Sequence, residues 1–112
     1  MKIMIVDDNE GIRDVIKNVL ERPDVEFLEC WDGGEAIGMY SQFQPDWVLM
    51  DISMAYVDGI SAVSELKAMY PDAKVVMVTD YNDATFRQQA KDAGADWYTL
   101  KEDLQELSVV IN

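Results

Sequence analysis

Residues 47–54 read Trp47-Val48-Leu49-Met50-Asp51-Ile52-Ser53-Met54, in which the apolar run Trp47 to Met50 ends on an acid, Asp51. A short run that is apolar throughout, rather than alternating, marks a strand covered on both faces. The same pattern recurs on either side. Ile3-Met4-Ile5-Val6 ends at Asp7-Asp8-Asn9, and Val75-Val76-Met77-Val78 ends at Thr79-Asp80. Trp97 to Leu100 is a further strand, ending at Lys101. Val25 to Trp31 is interrupted by Glu26 and Glu29, as an edge strand would be.

Amphipathic stretches separate these runs. Ile12, Val15, Ile16, Val19 and Leu20 recur at helical spacing until Pro23 stops them. After Gly33-Gly34, Ala36, Ile37, Tyr40 and Phe43 form a second stripe, closed by Pro45. Asp58-Gly59 leads into a helix carrying Ile60, Val63, Leu66 and Met69, stopped near Pro71. Asp83 to Ala93 is a weakly patterned helix with Gly94 as its C-terminal cap, and Leu104, Leu107 and Val110 or Ile111 mark a short last one. Five strand–helix units in alternation predict an α/β fold built on a parallel sheet. With no repeat, low-complexity tract or linker, residues 1–112 are expected to form a single domain.

Composition narrows the function. Nine Lys and Arg against 22 Asp and Glu leave a formal net charge of −13, which opposes nucleic-acid or anionic-membrane binding. Most of these acids are expected on solvated faces; only those that converge in space need a chemical account. There is no histidine, which removes histidine general bases, triads and histidine metal sites. Cys30 is the only cysteine, so no disulfide forms within the chain; in its apolar setting it reads as a small buried hydrophobe rather than a nucleophile. No segment approaches the roughly 20 apolar residues of a membrane span, and a cytoplasmic location is expected.

Ligands of open parallel sheets bind outside the carboxyl ends of the strands, where strand order reverses. The residues there are Asp7, Asp8, Asp51, Thr79 and Lys101. Clustered carboxylates repel one another, and a divalent cation relieves the conflict. An all-oxygen set without histidine suits Mg²⁺ and serves zinc or copper poorly. A carboxylate beside Mg²⁺ can attack phosphorus to form an aspartyl phosphate. Asp51, alone at the end of a central strand, is the expected nucleophile; Lys101 and the Thr79 hydroxyl are expected to contact the phosphoryl oxygens. Each residue taken singly reads equally as a helix cap or a surface charge.

Taken together, the motifs resemble the receiver domains of bacterial response regulators. Val6-Asp7-Asp8-Asn9 is similar to the family's acidic pair, and Val48 to Met54 with Asp58-Gly59 to its phosphoacceptor loop. Val76-Met77-Val78-Thr79 resembles the segment bearing its switch threonine, and Gly94 to Lys101 the one ending in its lysine. The resemblance implies a flavodoxin-like, doubly wound sheet of order 2-1-3-4-5 flanked by five helices. It implies phosphoryl transfer to Asp51 from a phosphohistidine on a sensor histidine kinase or phosphotransfer protein, and an effector or output domain downstream. It implies Mg²⁺ held by Asp7, Asp8, Asp51 and the backbone carbonyl of Ser53. Tyr98 matches an aromatic that turns inward on activation; the plainer alternative packs it against Ala90 or Leu104. The output face would then comprise the last helix, the fifth strand and the helix before it.

Three positions depart from the family: Ala55 and Glu102 stand where proline is usual, and Asp80 where a small residue is usual. Ala55 should loosen the loop, and Glu102 bears on the peptide geometry after Lys101. Asp80 would either slow phosphoryl donors or strengthen Mg²⁺ binding. The alternatives to a switch are a phosphorylation-independent interaction module and a Mg²⁺-dependent phosphohydrolase. The chain ends about where a receiver ends, so it either acts alone or is one piece of a longer regulator.

Overall fold

A computed structural model of the chain describes residues 1–54 and 58–111. Five parallel strands, β1 (Lys2–Val6), β2 (Glu26–Cys30), β3 (Trp47–Met50), β4 (Val75–Thr79) and β5 (Trp97–Leu100), form one sheet of order β2-β1-β3-β4-β5. The helices are α1 (Glu10–Leu20), α2 (Gly33–Phe43), α3 (Gly59–Met69), α4 (Ala84–Ala93) and α5 (Leu107–Val110), with a 3-10 segment over Lys101–Glu106. The order implied by the resemblance is the order found.

The apolar runs are continuous because both sheet faces are covered. Ile3, Ile5, Leu49, Val76 and Val78 pack against Ile16 and Leu20 of α1 and against Leu104, Leu107 and Ile111. Their strand neighbours Met4, Val6, Val48, Met50, Val75 and Met77 point the other way, onto Ala36, Ala62, Val63, Leu66 and Ala90 of α2, α3 and α4. Strand side chains alternate in direction, so two cores demand an apolar residue at every position. At the sheet edge β2 departs from this rule as expected, with Glu26 exposed and Glu29 half-buried.

Two helical stripes are narrower than their spacing suggests, since Val15 is 44% exposed and Met69 53%. Val15 falls on the solvent side of α1, and Met69 in the last turn of α3 reaches past the edge of the core. Asn9, Asp32 and Asp58 cap α1, α2 and α3, each accepting a hydrogen bond from the backbone N–H three residues on. Gly94 ends α4 with φ 106, the left-handed turn expected of it.

The last helix differs most from expectation. The chain passes directly from β5 into the 3-10 turns, with a kink at Asp103, and only Leu107–Val110 is α-helical. Leu104 and Leu107, both buried, are three apart, and a three-residue turn stacks them on the same face. Lys101 is thereby held at the sheet edge at the very start of the turn.

Candidate functional site

Strand order reverses between β1 and β3, since β1 is followed in sequence by β2 on one side while β3 lies on the other. The ladder continues one residue beyond both strands: Asp7 N–H donates to the Cys30 carbonyl at 3.1 Å, and Asp51 N–H to the Val6 carbonyl at 2.9 Å. The backbones of Asp7 and Asp51 are therefore positioned by the sheet's own hydrogen bonds. Asp7 is 2% exposed and Asp51 4%, while Thr79, the last residue of β4, is fully buried. Asp8 is exposed.

Lys101 joins the two buried acids. Its Nζ lies 3.1 Å from Asp7 Oδ2 and 3.4 Å from Asp51 Oδ1. One carboxylate oxygen each from Asp7, Asp8 and Asp51 lie within 4.8 Å of one another. Asp7 Oδ1 accepts from the Asn9 N–H at 2.8 Å, whereas Asp7 Oδ2 is buried without an aligned hydrogen-bond donor among the described residues. Its charged neighbour is the Lys101 ammonium, at ion-pair distance. A buried carboxylate oxygen met only by an ion-paired ammonium among the described residues, beside two further carboxylates, is what an oxygen-seeking cation would satisfy. The three aspartates therefore suit a metal ion.

The electrostatics carry the same strain. Burial, followed by the negative charge of Asp7, pushes the Asp51 carboxyl up from 3.8 to about 6, against the pull of Lys101 and the Ser53 N–H. Burial works to lower the Lys101 pKa, but the attraction of Asp51 and Asp7 outweighs it and the ammonium is held above its ordinary value. Two acids and one cation leave an excess negative charge in a partly dry pocket. Ser53 is exposed, two residues past Asp51.

Thr79 Oγ1 accepts from the Tyr81 N–H at 3.2 Å, and the Tyr81 carbonyl accepts from the Tyr98 hydroxyl at 2.7 Å. Tyr98 is half-buried, belongs to the core layer of Ala90 rather than that of Leu104, and carries the Arg87 guanidinium 4.6 Å from its ring centre. The loop after β4 thus links the buried threonine to the tyrosine of β5. Cys30 is fully buried and its thiol is pushed up to about 12 by burial, in keeping with a packing role.

Two contributors escaped the sequence reading. Arg13, 7% exposed, donates from Nη1 to the Asp7 carbonyl at 2.6 Å and from Nε to Glu29 Oε1 at 2.9 Å. Lys17 also reaches Glu29, at 3.0 Å, so two cations one turn apart on α1 answer the acid of the edge strand. The alignment of Arg13 and Lys17 opposite Glu29 was the available signal. Gly59 was noted as part of a motif, but its cause is steric: a Cβ there would stand 1.8 Å from the Asp51 carbonyl oxygen. The first turn of α3 leans on the backbone of the Asp51 loop, and Gly59 N–H donates to the Ile52 carbonyl at 2.8 Å. Ala55, one of the three departures, lies outside the described residues. Glu102 is accommodated in the first 3-10 turn, and no cis peptide bond occurs among the described residues.

Comparison with known proteins agrees with this geometry. Residues 3–112 match the response regulator receiver domain. The chain is 37% identical over 100 residues to the chemotaxis protein CheY of Halobacterium salinarum, covering 89% of this chain and 83% of that protein. It is 37% identical over 103 residues to the response regulator protein VraR of Staphylococcus aureus, covering 90% of this chain but 49% of VraR, so it spans about half that regulator's length. A solved LuxR-family two-component response regulator from an Aurantimonas species superposes with a TM-score of 0.90 at 31% identity, covering 98% of this chain and 81% of that one. Sheet order, the acidic crevice and sequence relationship converge, and the chain belongs to the response regulator receiver domain family, whose members serve phosphorylation-dependent signalling.

Proposed function

We propose that Asp51 is the phosphoacceptor of a Mg²⁺-dependent signalling switch. The observation that carries this reading is the pairing of Lys101 with both buried acids, 3.4 Å from Asp51 and 3.1 Å from Asp7, in a cluster of three carboxylates suited to a metal ion. Asp7, Asp8, Asp51 and the Ser53 carbonyl would hold the cation, which when bound neutralises charge on the phosphoryl oxygens. An Asp51 carboxylate oxygen attacks phosphorus, and the bond from phosphorus to the donor nitrogen breaks with its electron pair leaving on the donor imidazole. Lys101 draws on one phosphoryl oxygen and the Thr79 hydroxyl on another.

Thr79 and Tyr98 form the switch in this proposal. A Thr79 hydroxyl turned toward the phosphoryl group gives up the Tyr81 N–H, which frees the loop that anchors the Tyr98 hydroxyl. Tyr98 then resets the face formed by α4, β5 and the last helix, where an effector or output domain reads the change. The donor is a phosphohistidine on a sensor histidine kinase or phosphotransfer protein. The domain is not an enzyme with turnover: it supports its own phosphorylation and slow loss of the phosphoryl group. No helix among the described residues is long and apolar enough to cross a membrane. We take residues 1–112 to be one receiver domain acting in the cytoplasm, binding neither nucleic acid nor membrane by itself.

The test is incubation with acetyl phosphate and Mg²⁺ followed by intact mass. Wild type gains one phosphoryl group; omission of Mg²⁺ or the change Asp51→Asn abolishes the gain. An unmodified wild type, under conditions that modify another receiver, refutes the proposal, as does modification that survives in Asp51→Asn. Multiple-turnover phosphate release would favour a phosphohydrolase. Absence of Mg²⁺ binding by calorimetry at millimolar metal would favour a phosphorylation-independent module.

A further inference from the structure

Asp80 is exposed immediately after fully buried Thr79. Thr79 pairs with Leu100 in the parallel register, so Asp80 stands beside the strand end that carries Lys101. Two effects of this extra acid are conceivable, tighter metal binding or slower donor approach. The geometry separates them. Among the described residues the metal-suited cluster contains Asp7, Asp8 and Asp51 and not Asp80. No described cation lies within ion-pair distance of Asp80, so its charge is uncompensated at the Lys101 side of the mouth.

Resting on the proposal that Asp51 is phosphorylated, we infer that Asp80 is a specificity-determining residue that disfavours phosphoryl donors in proportion to their negative charge, without ligating the cation. The chemical step is unchanged. An Asp51 oxygen bonds to phosphorus, the phosphorus–oxygen bond of an acyl phosphate or the phosphorus–nitrogen bond of a phosphoramidate breaks, and the leaving group takes the electron pair. Acetate departs as the anion and ammonia takes a proton from water. Asp80 acts earlier, on the probability that the donor reaches the pocket. A unit charge facing a dianion across a few water layers slows its arrival about fivefold at ~0.01 M ionic strength and about twofold at ~0.15 M. A monoanion feels half the free energy, so its factor is about twofold at low salt.

The experiment compares wild type, Asp80→Asn and Asp80→Glu at saturating Mg²⁺. Acetyl phosphate serves as the dianionic donor and phosphoramidate as the monoanionic one, with phosphorylation rates measured over a range of salt. Asp80→Asn should react about fivefold faster with acetyl phosphate at low salt, about twofold faster with phosphoramidate, and nearly as wild type at high salt. Asp80→Glu, which keeps the charge, should track wild type. Mg²⁺ affinity should be unchanged in Asp80→Glu and should fall in Asp80→Asn only by the same screened Coulomb factor, about twofold at ~0.15 M ionic strength. Equal acceleration of the two donors, or an Asp80→Glu rate matching Asp80→Asn, would assign the effect to size and overturn the inference. A loss of Mg²⁺ affinity in Asp80→Asn beyond about fivefold at ~0.15 M ionic strength would also overturn it, because Asp80 would then belong to the cation site. Failure of all three proteins to gain a phosphoryl group would instead refute the underlying role of Asp51.

Discussion

Replacing Asp51 by Asn should make the metal-free domain more stable, even though it deletes the proposed phosphoacceptor. Burial and the neighbouring Asp7 raise the Asp51 carboxyl from 3.8 to about 6. At about 1.4 kcal/mol per unit, a shift of roughly two units means that the ionised carboxylate costs the fold about 3 kcal/mol at pH 8. Asp51 is 4% exposed, so solvent screening does little to reduce this figure. The sign is the reverse of an ordinary salt-bridged acid. Because the folded state holds the proton more tightly, the penalty is full above pH ~6, shrinks as pH falls through the folded value, and vanishes below the ordinary 3.8.

Asn keeps the shape and the acceptor oxygen without the charge. Urea unfolding at pH 8 in chelator should show the variant about 3 kcal/mol more stable, or roughly 10 °C higher in Tm for a domain of this size. The gap should close toward pH 4. Mg²⁺ should also narrow it, because wild type binds the cation and gains stability by mass action. A variant that is no more stable at pH 8, or a gap that persists unchanged to pH 4, would refute the argument that Asp7 and Asp51 are in electrostatic conflict.

Three further substitutions probe the same pocket. Lys101→Ala removes the cation 3.1 Å from Asp7 and 3.4 Å from Asp51, and should lower metal-free stability by about 2 kcal/mol between pH ~6 and the ordinary 10.5 of the lysine, the loss shrinking at lower pH as Asp51 takes up a proton. Millimolar Mg²⁺ should restore most of the loss in urea titrations, because the metal takes over the neutralising charge. Gly59→Ala places a Cβ 1.8 Å from the Asp51 carbonyl oxygen and 2.9 Å from the Ile52 Cα, so α3 must shift away from the loop. A loss above about 3 kcal/mol is expected by denaturation, with slower phosphorylation of the folded fraction. Arg13→Met strips the Asp7 carbonyl and Glu29 of their buried donor, at a cost of about 2 kcal/mol. Calorimetry should show several-fold weaker Mg²⁺ binding, because the Asp7 backbone is no longer held.

The parallel α/β architecture was legible because continuous burial leaves a continuous apolar pattern: Ile3–Val6, Trp47–Met50 and Val75–Val78 each need apolar residues toward two opposed cores. The five chemistry-bearing positions were legible for a related reason. A parallel sheet presents all its carboxyl ends at one edge, so the residue after each run is placed by topology before any coordinate is known. Strand order came through family resemblance and not through periodicity, which is silent on which strands are neighbours. Other features depend on distances between segments remote in sequence. Neither the unequal burial of Asp7 and Asp8, nor the Arg13 anchor on the Asp7 carbonyl, nor the close approach that excludes a Cβ at Gly59 follows from local pattern. Local sequence states which face a residue prefers; only the packed chain sets how near two such faces come and which charges are left without a partner.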